Sequence, residues 1–428
     1  MTREMKNSGV EWIGNIPSEW RIGRVKNAFT RKNEKAHQEE PTILSLARSG
    51  VKIRDLSTGE GQIAESYYNY NPVEPFDLLL NPMDLYSGAN CSISKVYGVI
   101  SPAYINLKAN KNYYPVFYDY YFKTQYWAMA FFAHGKGVSY DNRWTLSTET
   151  LMNYYIPVPS LHEQKRIADF LDSKVTQIDK IISETKASIE NYKEYKQSVI
   201  TEAVTKGLDK NVPMKDSGVE WIGEIPSEWK VYKLKHLLDT PMLYGANETG
   251  IAYDEYLPRY IRITDITSDN KLKNDGKLSL AEDVAEPYML KNGDILFARS
   301  GGTVGKTFIY KDTYGKCAFA GYLIRARLKN WIIPELIYYY TLTSSYDSWK
   351  NRIFIQSTIQ NIGADKYCNM EIAISATKKE QKDIVNFLDN KCAEIDNLIS
   401  EKEKLITNLE EYKKSLIYEY VTGKKAVE

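Results

Sequence analysis

The chain has 428 residues, and its apolar fraction of 43% is ordinary for a globular protein of about two to three domains. Its 56 Lys and Arg balance 55 Asp and Glu, so overall charge neither demands nor excludes nucleic acid, and any basic face must be local. No apolar run reaches the ~20 residues that span a bilayer, and the opening MTREMKNSGV has no signal-peptide core. Cys91, Cys317, Cys368 and Cys392 form no Cys-x-x-Cys pair, and the four histidines group with nothing that suggests metal. A reduced, cytoplasmic, metal-free protein is expected.

In chain order, the first recognisable element is a leader, MKNSGVEWIGNIPSEWR from Met5, which returns from Met214 as MKDSGVEWIGEIPSEWK with 14 of 17 positions identical. Trp12, Ile13, Ile16, Pro17 and Trp20 are expected to dock this irregular segment on a larger apolar surface. Residues 22–159 carry short β-branched and aromatic runs, such as Thr42–Leu46 and Asp77–Leu80, punctuated by Gly, Asn, Asp and Pro. A helix is predicted from Pro115 to Ala133, with Pro at its start.

Ser160-Leu-His-Glu163 then reads as a capping box, and Thr377-Lys-Lys-Glu380 repeats it. The 20 residues from Glu163 and from Glu380 agree at 11 positions without a gap. Apolar residues below each cap recur in steps of four and three, the pattern of a coiled-coil seam. The first seam is Leu171, Val175, Ile178, Ile182, Ile189 and Tyr192, interrupted by Thr185 and followed by Lys196; the second is Leu388, Cys392, Ile395, Ile399, Ile406, Leu409 and Leu416, interrupted by Lys402 and Lys413. Two such helices most simply bury their seams against each other, the alternative being a dimer between chains through the same seams. Gly207 closes the first helix and residues 208–213 form a linker. The second variable region, 231–376, has the same texture in Tyr260–Thr264 and Asp294–Phe297 and a predicted helix from Pro334 to Asn351.

The expected fold is therefore α+β: two globular domains with mainly antiparallel sheets, plus two long helices packed as an antiparallel coiled coil with pseudo-twofold symmetry. The expected boundaries are a first domain at 1–159, a first long helix at 160–207, a linker and second domain at 208–376, and a second long helix at 377–428.

The twice-written W-I-G-x-I-P-S-E-W, the passage from Ile156 to Leu171 and the passage from Asn292 to Lys306 resemble the specificity subunit of type I restriction-modification enzymes. The resemblance implies that each globular region is a target recognition domain reading one half of a bipartite, asymmetric DNA site, and that the helical rod sets the unread gap. It also implies two methyltransferase subunits and motor-nuclease subunits as partners. S-adenosylmethionine would then serve the methyltransferase, and ATP and Mg the motor-nuclease, with no cofactor in this chain. Ile372-Ala-Ile-Ser-Ala376 departs from the Pro157-Val-Pro159 of the first copy.

Arginine can bridge guanine O6 and N7, while Lys and backbone N–H groups hold phosphate. In the second domain this singles out Arg259, Arg262, Arg299, Ser300, Thr303 and Lys306 on a glycine-rich stretch, with Gln356, Ser357 and Gln360 as amides suited to adenine. In the first domain the candidates are Tyr86, Ser87, Gly88, Ser92 and Tyr104, with Arg48, Lys136 and Arg143 on basic loops. Ser300–Thr307 fails the nucleotide-binding pattern at its first glycine. Asp172-Ser-Lys174 and Asp389-Asn-Lys391 have nuclease-like spacing but fall inside the duplicated helices. The chain reads as non-catalytic, and a coiled-coil scaffold without base readout is the alternative.

Overall fold

The computed structural model describes residues 3–57, 63–86, 90–139, 144–267, 270–355 and 361–427. The chain divides into two compact units, Met1–Thr185 with Lys404–Glu428, and Lys186–Glu403. Each unit therefore contains one leader, one variable region, part of the first long helix (Leu161–Lys206) and part of the second (Lys378–Val421).

In the first unit the leader folds back as a hairpin, Met5–Asn7 against Asn15–Pro17, and sinks Ile16 and Trp20 completely into the core. A four-stranded antiparallel sheet runs Phe29–Lys32, Ile105–Ala109, Leu78–Leu80, Cys91–Ile93. The helix Pro115–Trp127 presses Phe117, Tyr118, Tyr121 and Phe122 into the same core as Leu78, Leu80 and Leu107. Arg21–Arg24 pairs with Tyr155–Val158, which leads directly into the long helix. The second unit repeats this frame with Met214–Asp216 against Glu224–Pro226 and Lys230–Lys233 against Glu371–Ile374. Its main sheet is Leu238–Tyr244, Leu323–Leu328, Ile295–Ala298, Thr307–Ile309, all antiparallel. A second sheet, Ile251–Ala252, Leu278–Ser279, Arg259–Ile261, Cys317–Phe319, contains one parallel pair, between its last two strands.

Two expected helices are broken. The first ends at Trp127, and Met129, with φ +56°, turns the chain before a short helix at Ala130–Ala133. The second ends at Tyr340, because Thr341 and Thr343 return their hydroxyls to the carbonyls of Tyr338 and Tyr340, the local competition that makes hydroxyl residues helix terminators. Thr343 Oγ1 then accepts the Tyr346 amide and starts the helix Ser344–Ile355.

The capping boxes form only by half. The Glu163 amide donates to Ser160 Oγ at 3.2 Å, and the Glu380 amide to Thr377 Oγ1 at 3.4 Å. The glutamate carboxylates instead accept the indole N–H of the leader tryptophans: Trp20 Nε1 to Glu163 at 2.9 Å and Trp229 Nε1 to Glu380 at 3.1 Å. A fully buried indole has no water to fall back on, so it takes the acceptor a capping glutamate offers. The following glutamines, Gln164 and Gln381, are fully buried and hold the start of the neighbouring helix by accepting the Tyr114 and Ile333 amides at 2.7 and 2.9 Å. Asp172 and Asp389 accept the Tyr120 and Tyr339 hydroxyls at 2.7 and 2.6 Å, so the nuclease-like spacing is structural. Burial first, and this bond second, push both phenols far above their ordinary pKa.

Within each unit the long helices run antiparallel. In the first, the Phe170 ring lies 4.5 Å from that of Tyr420, and Lys413 pairs with Asp179 at 2.6 Å. In the second, Lys196 pairs with Asp396 at 2.6 Å and Lys402 lies over the Tyr192 ring. The two ion pairs join the same repeat positions. Exposed pairs of this kind contribute only about 0–1 kcal/mol and serve register more than stability. Leu171, Ile178, Ile182, Ile189, Leu388, Ile395 and Leu416 are buried, as is Cys392, while Val175, Tyr192, Ile399, Ile406 and Leu409 are half-buried. Thr185 is buried too and satisfies its hydroxyl on the Ile181 carbonyl at 2.7 Å.

Replacing Glu163 or Glu380 by Leu orphans a buried indole donor and is expected to cost about 1–3 kcal/mol in urea unfolding. Glu163 also pairs with Arg3, so Glu163→Leu together with Trp20→Phe should cost clearly less than the sum of the two single changes; strictly additive costs would show that the bond is not made.

Candidate nucleic-acid interface

The glycine-rich stretch of the second unit joins two strands rather than a strand and a helix. Ile295–Ala298 is wholly buried and leads into the loop, and Thr307–Ile309 leaves it antiparallel. Gly305 N donates to the Ala298 carbonyl and Ala298 N to that of Lys306, closing the loop at 2.9 and 2.8 Å. This is a β-hairpin connection, so the resemblance to a nucleotide-binding loop ends there. Thr303 stands exposed at its tip, Ser300 is half-buried and bridges to Asn361, and a recess of about 450 Å³ opens beside it between Thr303, Lys306, Asp347 and Lys350.

The cations named from sequence differ in how far they are committed. Arg259 is buried, and its Nη2 donates to the Lys273 carbonyl. Arg262 grips Asp265 through Nε at 3.1 Å and Nη2 at 2.7 Å, and that bond is the largest cause of its raised pKa. Lys306 Nζ donates to the Ile266 and Thr267 carbonyls. Arg299 stacks its guanidinium 4.9 Å over the Tyr244 ring, and its buried Nε has no acceptor among the described residues. Arg299 and Thr303 therefore combine a position at the loop with the fewest internal ties.

Two arginines that sequence reasoning passed over are structural. Arg327 holds the buried Asp294 in a two-point bond at 2.8 and 2.7 Å, which raises its pKa. Arg325 is buried beside Thr240, and its pKa is lowered by burial first and by Arg327 second.

In the first unit Arg48 is exposed at the turn between Leu44–Ala47 and Gly50–Ile53. The Asn90 side-chain amide donates to this hairpin's Ala47 carbonyl at 2.5 Å, and Gly50 lies against the Ser92 hydroxyl, so Arg48 and Ser92 share one corner. Tyr86 is 60% exposed beside Phe132, and Lys136 is exposed on a bridge to Thr145. Tyr104 is half-buried in a separate apolar cluster with Leu44, Val73 and Ile100. Ser87, Gly88, Arg143, Gln356, Ser357 and Gln360 lie outside the described residues. Trp12 stacks on Tyr154 at 4.9 Å, which occupies the ring that could otherwise have held a base.

The profile of the type I restriction modification DNA specificity domain matches residues 86–191 and 226–410. The chain belongs to this family. It is 28% identical over 283 residues to the type I restriction enzyme MjaVIII specificity subunit of Methanocaldococcus jannaschii, covering 64% of this chain and 62% of that protein. It is 24% identical over 306 residues to the EcoBI specificity subunit of Escherichia coli, covering 65% and 58%. The match thus spans about three fifths of these relatives' own length. Among solved structures, a chain from work on complex assembly and conformational transition of the type I R-M system superposes with TM-score 0.72 at 14% identity, covering 96% of this chain and 99% of that one. The HsdS subunit from Thermoanaerobacter tengcongensis follows at TM-score 0.52 and 14% identity, covering 96% and 98%. The family's repeated fold is thus shared at an identity too low to carry over individual contacts. Among the described residues no helix is long and apolar enough to cross a membrane, and no cluster of metal-binding side chains occurs.

Arg327→Leu should destabilise the second unit by about 3–5 kcal/mol, because Asp294 is left as an uncompensated buried charge. Thr303→Ala should stay within about 0.5 kcal/mol. Chemical denaturation of the two variants checks the division between structural and available side chains.

Proposed function

We propose that this chain is the DNA sequence-specificity subunit of a type I restriction-modification assembly. Each unit reads one half of a bipartite, asymmetric target, and the paired long helices set the gap and dock two methyltransferase subunits. The observation that carries this reading is the contrast within the duplication. Leader, capped helix, buried glutamine and cross-helix ion pair recur in equivalent positions, whereas the corner that carries Arg48 and Ser92 in the first unit has no counterpart in the loop that carries Arg299, Thr303 and Lys306 in the second, as two heads with different targets require. Family membership supports the same reading.

The chain itself is non-catalytic in this account. Methyl transfer, with S-adenosylmethionine, belongs to the methyltransferase subunits, which take the target adenine out of the stack. ATP and Mg serve motor-nuclease subunits where these join, and the assembly works in the cytoplasm. Arg299 and Thr303, with Ser300 and Lys306 beside them, approach DNA in the second unit, and Arg48, Ser92, Tyr86 and Lys136 do so in the first. Phosphate contacts through these groups make affinity fall steeply with salt in spite of a net charge of +1. Half-site spacing is a geometric property of a twofold reader, so helix length fixes the gap.

The test is adenine methylation mapped across the genome of cells carrying this chain with its methyltransferase, with and without this chain alone. A two-part motif should vanish on deletion; unchanged methylation in an active assembly would favour a scaffold role. Inserting one helical turn into both long helices should lengthen the recognised gap and leave both half-sites intact.

A further inference from the structure

Beside the Arg299 loop, the second unit holds a recess of about 520 Å³ whose rim includes Asn247, Glu248 and Tyr322. It is joined to the loop directly, since the Arg299 amide donates to the Tyr322 carbonyl at 3.0 Å. Tyr322 is 63% exposed, and Asn247 and Glu248 are exposed as well. Neither the Asn247 amide nor the Glu248 carboxylate hydrogen-bonds to a described side chain or backbone group. Arg262 also lines the wall, but Asp265 and the Gly276 carbonyl hold its guanidinium, so it leaves Glu248 unneutralised.

The floor is rigid. The Ala246 carbonyl accepts from the Tyr260 hydroxyl and the Gly321 amide, both at 2.7 Å, and Gly245 N donates to the Leu323 carbonyl at 3.1 Å. A Cβ on Gly321 would lie 1.9 Å from Asn247 Oδ1, so the Asn247 side chain occupies space that only a glycine leaves.

We propose that this recess reads a base bearing an exocyclic amine, adenine or cytosine, in the half-site bound by the second unit. The inference rests on the DNA-reading role proposed above and assigns its specificity-determining residues. A carboxylate only accepts, and phosphates repel it, so Glu248 at this rim calls for a donor on the ligand. In the major groove adenine N6 and cytosine N4 are donors, whereas guanine O6 and thymine O4 are acceptors. Glu248 thus attracts the first pair and rejects the second, discrimination by repulsion as well as attraction. Asn247 supplies the paired donor and acceptor that complete the contact, and Tyr322 packs at the mouth.

The experiment is the methylation map of the full assembly, this chain with its cognate methyltransferase, for wild type, Glu248→Gln, Asn247→Ala and Gly321→Ala. Glutamine can donate as well as accept, so Glu248→Gln should relax one position of one half-site. Sites carrying guanine or thymine there should gain roughly tenfold in methylation, with the other half-site and the gap unchanged. Asn247→Ala and Gly321→Ala should weaken preference at that same position. An active Glu248→Gln assembly with an unaltered motif would overturn the proposal. So would uniform loss of methylation in a variant that melts and assembles like wild type. If the wild-type chain directs no two-part motif at all, the functional reading fails instead.

Discussion

The arrangement depends on a hydrogen bond between a buried indole and a glutamate in the first turn of a long helix. Trp20 and Trp229 have no contact with solvent, and their N–H groups end on Glu163 and Glu380. The site suits a carboxylate, since the positive end of the helix dipole favours negative charge there. One bond thereby ties leader, strand pair and helix into a single block. The same block receives the end of the other long helix. Gly423, just beyond the second, lies against Pro17 and Trp20, and Gly207, just beyond the first, lies against Trp229 and Pro226. A side chain at Gly423 would collide with Pro17, so small size at that terminus is a packing requirement.

A frame held this firmly frees the rest of each unit to vary. The buried glutamines, the Tyr–Asp bonds and the Lys–Asp pairs all act between frame elements, and all occur twice. The loops that carry Arg48, Arg299 and Thr303 contribute little to this frame. Near-neutral overall charge is consistent with such a division, because many cations are spent internally. Arg327 on Asp294, Arg262 on Asp265 and Arg3 on Glu163 are examples. On the proposed function, DNA contact falls to loop side chains such as Arg48, Arg299 and Thr303, and specificity comes from their placement.

The frame was legible in the sequence because it obeys local rules and is repeated. A cap, a step of four and three, and a terminal glycine at 207 locate the helices without tertiary information. The anchoring role of Trp20 was legible as well, but its partner was not. Glu163 looked committed to its own cap, and the competing indole lies far away in sequence. The helix breaks near Met129 and Thr341 were missed because the apolar periodicity runs on through them. Among the candidate cations, the link between Arg262 and Asp265, three residues apart, was open to inspection. The burial of Arg259 depends on strand pairing that periodicity cannot supply. Asn247 and Glu248 are neighbours in one loop, but Tyr322 comes from another, and no spacing rule brings the two loops together.

The most direct test of the account is to exchange residues 22–159 for the equivalent region of another member of the family and map adenine methylation in the assembled complex. The account requires one half of the recognised motif to change while the other half and the gap stay as they were. A change in both halves, or in neither, in an assembly that still methylates would contradict it.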